Sequence, residues 1–384
     1  MTIIMDFRKY DGVVGGVEQG IIQITRYLAI NGHTVLLMCK EKRFDDVKGL
    51  FSKSENIEFK PLDVDTHVIN KTNRMIDSST LQEIAKKEDA DVIHFPYNWS
   101  FPAKKAVPTV LTVHDVIPFT YREAQSLLFN IFKYKKGIRN ACQMNDIIVT
   151  VSEFSRQDIA EKVGVPLQKI RVIYNGLREP NPSNRKVEMS LRERYALEDR
   201  FILNVGGIHE RKNIVRLIHA YAMLIDKTKY SGKLVITGKA SGGTYQEKMR
   251  KRCDRAISET GIDGRVVFTD YIPEKEIDEL FRMADLLIYP SLYEGFGIPV
   301  VEAMKVHLPV ITSNITALPE VSGGSALLVD PEDCSDMASK MLELLHTNDL
   351  RQKLIETGYE HSKKFTWDKT SEEYLALYRE IAGD

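Results

Sequence analysis

Cysteine is scarce in this chain. Only four occur in 384 residues, Cys39, Cys142, Cys253 and Cys334, and they are widely scattered. No CxxC pair or Cys/His cluster exists, so the sequence indicates neither a disulfide framework nor a zinc site. Charge of one sign is also missing. With 53 Lys+Arg against 54 Asp+Glu the formal net charge is −1, and the electrostatic signature of a nucleic-acid binder is absent. No apolar run approaches the roughly 20 residues that cross a bilayer. The N-terminus meets Asp6 and Arg8 too early for a signal peptide and reads as a first β-strand. These absences suggest a cytosolic protein. With 43% hydrophobic and 28% charged residues, the chain has the composition of a globular protein.

Short β-branched runs alternate with helical patterns throughout. In the first half the expected strands are Ile3–Phe7, Thr34–Cys39, Ile57–Pro61, Asp91–Phe95, Thr109–Val113 and Asp146–Val151. The amphipathic stretch Val17–Ile30 carries Ile21, Ile24 and Leu28 at helical spacing. The second half starts the pattern afresh with Phe201–Val205, Lys233–Thr237, Arg265–Thr269, Leu286–Tyr289, Val310–Thr312 and Ala326–Val329. Strands flanked by helices imply parallel sheets covered on both faces. The length suits two domains. A break falls at Leu177–Asn184, where Pro180-Asn-Pro-Ser-Asn184 interrupts periodicity. Ligands of doubly wound domains collect at the carboxyl ends of the strands.

Several expected strand-to-helix turns carry chemistry. The most informative stretch runs from Tyr289 to Met304, Tyr-Pro-Ser-Leu-Tyr-Glu294-Gly-Phe-Gly-Ile-Pro-Val-Val-Glu302-Ala-Met. A strand, a glycine turn and a helix start aim backbone N–H groups at an anion. Gly295 and Gly297 allow close backbone approach. Two carboxylates beside an anion site suit hydroxyls of a sugar, a ribose or both. After the first strand, Gly15-Gly16-Val-Glu18 opens a helix without forming G-x-G-x-x-G. His114 and Asp115 follow the strand Thr109–Val113. There a neutral imidazole could bond a sugar hydroxyl, or simply pack at a strand end. Gly206-Gly-Ile-His-Glu-Arg211-Lys212-Asn213 opens the second half. Cations at a helix start oppose its dipole unless an anion is near, and both side chains suit phosphate. Ser152 reads as an N-cap.

These segments, in this order, resemble the family 4 retaining glycosyltransferases of the GT-B fold. The spacing Glu294…Glu302 resembles that family's E-x7-E motif. The resemblance implies two Rossmann-like, doubly wound parallel-sheet α/β domains facing a central cleft. The first would span 1–178, with a C-terminal helix at about 366–384 packing back on it. The second, at 185–365, would bind the nucleotide sugar. By the same resemblance His114 and Glu294 lie by the donor sugar, and Glu302 holds the ribose. The diphosphate would be held by Gly15, Gly16, Arg211, Lys212, Phe296, Gly297 and Ile298. Tyr271 and Ile272 would hold the base through backbone groups, and Asn175-Gly176 would form the turn toward the linker. Many family members carry an arginine where Gly207 stands here, so one expected phosphate contact is missing. Glu320, in a late segment that also resembles the family, reads as structural before it reads as a ligand contact.

The expected reaction is retaining hexosyl transfer without a metal or other cofactor. GDP-mannose is the favoured donor, with UDP-hexoses next, and the acceptor a glycan or lipid-linked glycan of surface-polysaccharide assembly. Asp63-Val-Asp65 is a D-x-D pair of the kind that holds a metal in another glycosyltransferase fold. It stands without that fold's surrounding segments, so no metal site is assigned. Residues 127–139 mix apolar side chains with Lys133, Lys135, Lys136 and Arg139. They read either as a peripheral contact with the inner face of a membrane or as a buried helix with a solvated basic side. The competing functions are a nucleotide-sugar epimerase on the same fold and a non-catalytic glycan-binding scaffold.

Overall fold

The structure is a computed structural model that describes residues 1–51, 56–63, 80–98, 100, 105–121, 131–197 and 200–383. Its contacts divide the chain after Gly176. The first unit takes Met1–Phe119, Phe129–Gly176 and the segment from Phe365 onward; the second takes Thr120–Leu128 and Leu177–Lys364. The proline-rich stretch 177–184 therefore belongs with the second unit. Asp278 accepts hydrogen bonds from Asn181 N (2.8 Å) and Nδ2 (2.7 Å), and Glu279 accepts one from Asn184 N (2.6 Å).

The first unit contains a seven-stranded, wholly parallel sheet. Its strands are β1 (Thr2–Asp6), β2 (Thr34–Lys40), β3 (Ile57–Leu62), β4 (Val92–Phe95), β5 (Thr109–Thr112), β6 (Ile147–Thr150) and β7 (Ile170–Val172), ordered β3-β2-β1-β4-β5-β6-β7. The chain starts at the middle, winds to one edge and returns beside β1. The β1/β4 boundary is thus a topological switch point, where crossover helices diverge to opposite faces and leave a crevice. A parallel strand has both faces covered, which is why Ile3, Ile4 and Met5 are all buried. Helix Gly16–Ile30 covers one face through Ile21, Ile24 and Leu28.

On that face helix Gly16–Ile30 is joined by helix Trp367–Ala382 from the other end of the chain. The contact is specific as well as apolar. Tyr378 Oη lies 2.6 Å from His94 Nδ1, His94 Nε2 lies 2.7 Å from Thr112 Oγ1, and Tyr374 Oη lies 3.1 Å from the same threonine oxygen. Burial pushes the His94 imidazole down to about 3, so the ring is neutral. Gly176 lies beneath Trp367, where an added Cβ would stand 2.5 Å from the tryptophan backbone nitrogen.

The second unit carries a six-stranded, wholly parallel sheet. Its strands are β8 (Phe201–Val205), β9 (Lys233–Thr237), β10 (Val266–Phe268), β11 (Leu286–Tyr289), β12 (Val310–Ser313) and β13 (Leu327–Val329), ordered β10-β9-β8-β11-β12-β13. Here the switch point lies between β8 and β11, which pair at Leu286↔Ile202 and Leu287↔Leu203. The loops after these two strands must therefore emerge side by side.

Tyr378→Phe removes one bond from a buried imidazole and strands its nitrogen. It is expected to lower unfolding free energy by about 1–3 kcal/mol in urea titrations. An unchanged midpoint would show that the apolar face alone holds the C-terminal helix.

Candidate active site

The expected site residues divide between the two units. In the second unit, Arg211 and Lys212 follow β8, and Glu294 follows β11. The adjacency of those strands brings the three together. Arg211 Nη1 lies 2.7 Å and Lys212 Nζ 2.8 Å from the same oxygen, Glu294 Oε1. Lys212 and Glu294 are 6% and 7% exposed. Burial pushes the Glu294 carboxyl up, but Lys212 and Arg211 outweigh it and hold the group below its ordinary value. Glu294 is therefore an anion at neutral pH, clamped by two cations.

Residues not assigned a role from sequence complete this cluster. The Tyr289 hydroxyl accepts a hydrogen bond from Lys212, whose ammonium also sits 4.4 Å from the Tyr289 ring centroid. Asn213, left-handed at φ 62°, donates to the carbonyls of Pro290 (3.2 Å) and Pro331 (2.5 Å). It fastens the loop after β8 to the loop after β11. Gly206 (φ 123°) leaves room for Lys212, since a Cβ there would come within 2.8 Å of Nζ. Gly207 (φ 77°) lies against the Gly238–Lys239 backbone, where a Cβ would meet the Lys239 carbonyl oxygen at 3.0 Å. In this conformation an arginine at 207 would be strained.

Gly297 (φ 100°) caps helix Ile298–Lys305, and a Cβ would strike Leu318 at 2.6 Å. The helix start lies beyond Glu294, with Pro299 in the first turn where no amide bond is lost. Phe296 is buried. Glu302 lies farther along this helix, its side chain 19% exposed and its carboxylate 3.3 Å from Arg178 Nε. Ile272 is buried and Tyr271 is 80% exposed. Their loop is held by Asp270, whose carboxylate accepts from Ala240 N (3.0 Å) and Ser241 Oγ (2.9 Å). Glu320 lies in the short helix Leu318–Ser322.

In the first unit Gly15 and Gly16 are exposed at the start of helix Gly16–Ile30. Glu18 reaches back to accept from Gly15 N (3.0 Å) and also accepts from Tyr97 Oη (3.0 Å). His114 follows β5. Its ring bonds the Pro96 backbone, burial pushes its pKa down to about 4, and Nε2 is buried without a partner. A neutral ring that donates to a carbonyl keeps its other nitrogen as an acceptor. Ser152 caps its helix, accepting from Ser155 N at 3.0 Å. Asp63 is exposed just past β3, and Asp65 lies outside the described residues. Of 127–139, residues 127–130 also lie outside them. The described helix, Ile131–Met144, buries Tyr134 and Ile138 and exposes Phe132 (79%), Lys133, Lys136 and Arg139.

Comparison with known proteins bears on this geometry. A family model described as Glycosyltransferase Family 4 matches residues 14–178, and one described as Glycosyl transferases group 1 matches residues 190–361. Together they span both units. The chain belongs to the family 4 glycosyltransferases. This glycosyltransferase is 27% identical over 300 residues to the O-antigen chain mannosyltransferase B of Escherichia coli, covering 78% of this chain and 77% of that one. It is 29% identical over 288 residues to the serotype-specific mannosyltransferase WbdA of Escherichia coli, covering 73% of this chain but 34% of WbdA. Its fold is GT-B. A glycosyltransferase from Rickettsia africae superposes with a TM-score of 0.75 at 20% identity, covering 99% of this chain and 98% of that one. Anabaena Alr3699/HepE, solved with UDP-glucose, superposes with a TM-score of 0.72 at 16% identity, covering 98% of this chain and 100% of that one.

Two histidines of the glycosyltransferase held neutral by the fold, His94 and His114, set a pH dependence. Their folded pKa values, about 3 and about 4, lie below the ordinary 6.5. Between those limits the unfolded chain takes up protons that the folded chain refuses. Stability is thus expected to fall as pH drops from about 6.5 toward about 4, by up to about 1.4 kcal/mol per pH unit for each histidine. Urea midpoints between pH 7 and 4.5 measure the slope. His114→Asn should flatten it, and an equal slope in the variant would contradict neutral burial of His114.

Proposed function

We propose that this enzyme transfers a hexose, mannose first, from a nucleotide sugar to a glycan or lipid-linked glycan in surface-polysaccharide assembly, retaining the anomeric configuration and requiring no metal. The observation that carries the reading is the buried Lys212–Glu294–Arg211 cluster beside the glycine-opened start of helix Ile298–Lys305. When the glycosidic bond breaks, negative charge develops on the departing nucleoside diphosphate. Fixed cations and helix-start amides stabilise that charge without reorganising. Lys212, Arg211 and the backbone around Phe296, Gly297 and Ile298 take that task, with the exposed glycines Gly15 and Gly16 giving the diphosphate room on the first unit. Glu294 orients the donor sugar, and His114 Nε2 accepts from a sugar hydroxyl. Glu302 receives the ribose hydroxyls, and the backbone of Tyr271 and Ile272 holds the base.

In this mechanism the acceptor oxygen attacks the anomeric carbon on the face the leaving group vacates. The carbon–oxygen bond to the diphosphate breaks with its electron pair, and the acceptor's proton passes to a phosphate oxygen. Glu294 is engaged by two cations, which favours an orienting role over a covalent one. Mannose is supported by the names of the E. coli relatives, and a nucleotide-sugar donor by the UDP-glucose bound to the Anabaena protein. UDP-hexoses come second. We place the enzyme in the cytoplasm, with a peripheral membrane contact through the exposed basic side of helix Ile131–Met144. Among the described residues no helix is long and apolar enough to cross a membrane.

Incubation with radiolabelled GDP-mannose or UDP-glucose and an extracted lipid-linked glycan pool tests the reading. Label is expected in the glycan, with undiminished rate in EDTA and a loss of about 100-fold or more in Glu294→Gln. A new nucleotide-sugar isomer formed without acceptor would point to an epimerase. Donor binding without transfer would point to a scaffold. Loss of transfer in EDTA would overturn the metal-free mechanism.

A further inference from the structure

One half-buried guanidinium has no place in the mechanism above. Arg178 lies just inside the second unit, in the stretch that precedes helix Arg185–Tyr195, yet it reaches the carboxylate expected to hold the ribose. Its forked end is taken up by Asp278, with Nη1–Oδ2 at 2.9 Å and Nη2–Oδ1 at 2.5 Å. Asp278 is itself fixed by Asn181 N and Nδ2 at 2.8 and 2.7 Å. A bidentate pair of this kind sets the plane of the guanidinium, and the remaining nitrogen, Nε, is then turned to Glu302 at 3.3 Å. Arg178, Asp278, Glu302 and Lys305 line one small recess.

Resting on the donor reading above, we infer that Arg178 is a positioning residue that keeps the Glu302 carboxylate charged and aimed at the ribose diol of the donor nucleotide. The reason is electrostatic. A carboxylate accepts from both hydroxyls of a diol, whereas a protonated carboxyl gives up part of that capacity to its own proton. Glu302 sits among groups that work against ionisation. Burial pushes its carboxyl up, Arg178 pulls it down, Asp278 and Glu274 push it up again and Lys305 pulls it down, leaving it at about 7. Arg178 Nε is also 3.8 Å from Glu274. Arg178 thus offsets two neighbouring carboxylates as well as burial. Because its forked end is committed to Asp278, Arg178 meets Glu302 through Nε, and the carboxylate keeps acceptor sites for a ligand.

The direct readout is the carboxyl 13C shift of Glu302, assigned with Glu302→Gln and followed from pH 5 to 9.5 in the full chain without nucleotide. The wild-type midpoint is expected near neutrality. In Arg178→Gln it should rise by about 1 pH unit or more, as loss of an adjacent opposite charge requires. Arg178→Lys, which keeps the charge but not the fork, should fall between the two. A midpoint unmoved in both variants overturns the inference. The second arm is calorimetric binding of GDP and UDP over the same pH range. Affinity of the preferred nucleotide should rise through neutrality in the wild type. In Arg178→Gln it should drop about fivefold or more at pH 7 and recover near pH 9. The 2′,3′-dideoxynucleotide should bind the two proteins alike. A Glu302 midpoint that moves while wild-type affinity stays flat with pH would sink the ribose assignment, and with it the purpose assigned to Arg178. A uniform loss at every pH would make Arg178 merely structural and overturn the inference.

Discussion

Two cations sharing one buried carboxylate oxygen is the arrangement around which the second unit is built. Three charges out of water are costly unless mutual distance and hydrogen bonding compensate. Lys212 and Arg211 within 2.8 Å of Glu294 supply the distance. The rest depends on bringing the loops after β8 and β11 side by side. Parallel pairing of β8 with β11 does this at the level of the sheet. Asn213 does it locally, bridging to Pro290 and Pro331. Gly206 and Gly297 then clear the space a side chain would fill. A trio so held presents fixed charge to a ligand instead of assembling it on demand.

The first unit solves a different problem. Its switch point lies between β1 and β4, and its sheet is completed on one face by a helix drawn from the far end of the chain. The polar line His94–Thr112–Tyr374–Tyr378 gives that helix a register an apolar face alone would not impose. Neutral His94 belongs to this packing. Neutral His114, with Nε2 unsatisfied, differs in kind: a buried acceptor left open is a cost that folding alone does not explain.

Much of this was legible in the sequence, for identifiable reasons. Parallel strands buried on both faces read as continuous β-branched runs, so the twelve expected strands fall within about a residue of those observed. Only β7 escaped that count, because three residues carrying Arg171 are too short for the pattern. Glycines at 206 and 297 and Glu294 could be placed on turns, and Glu302 on the helix that follows, because turn and helix-start chemistry is local. What could not be read was pairing across distance. Arg211 and Lys212 looked like a cluster awaiting phosphate, while the structure shows them engaged with Glu294. Residues 177–184 looked like a linker, because the carboxylates that bind them, Asp278 and Glu279, stand about a hundred positions away. Tyr289 read as the last residue of a strand, and nothing nearby in sequence signals that Lys212 rests on its ring.

The account therefore turns on whether a nucleoside diphosphate meets this charge cluster. A crystal structure of the enzyme with a bound nucleoside diphosphate is the most direct measurement. The account predicts phosphate oxygens on Lys212 or Arg211 and on the amides at the start of helix Ile298–Lys305, with ribose hydroxyls on Glu302. A diphosphate bound away from that helix start, with both cations still closed on Glu294, would contradict it.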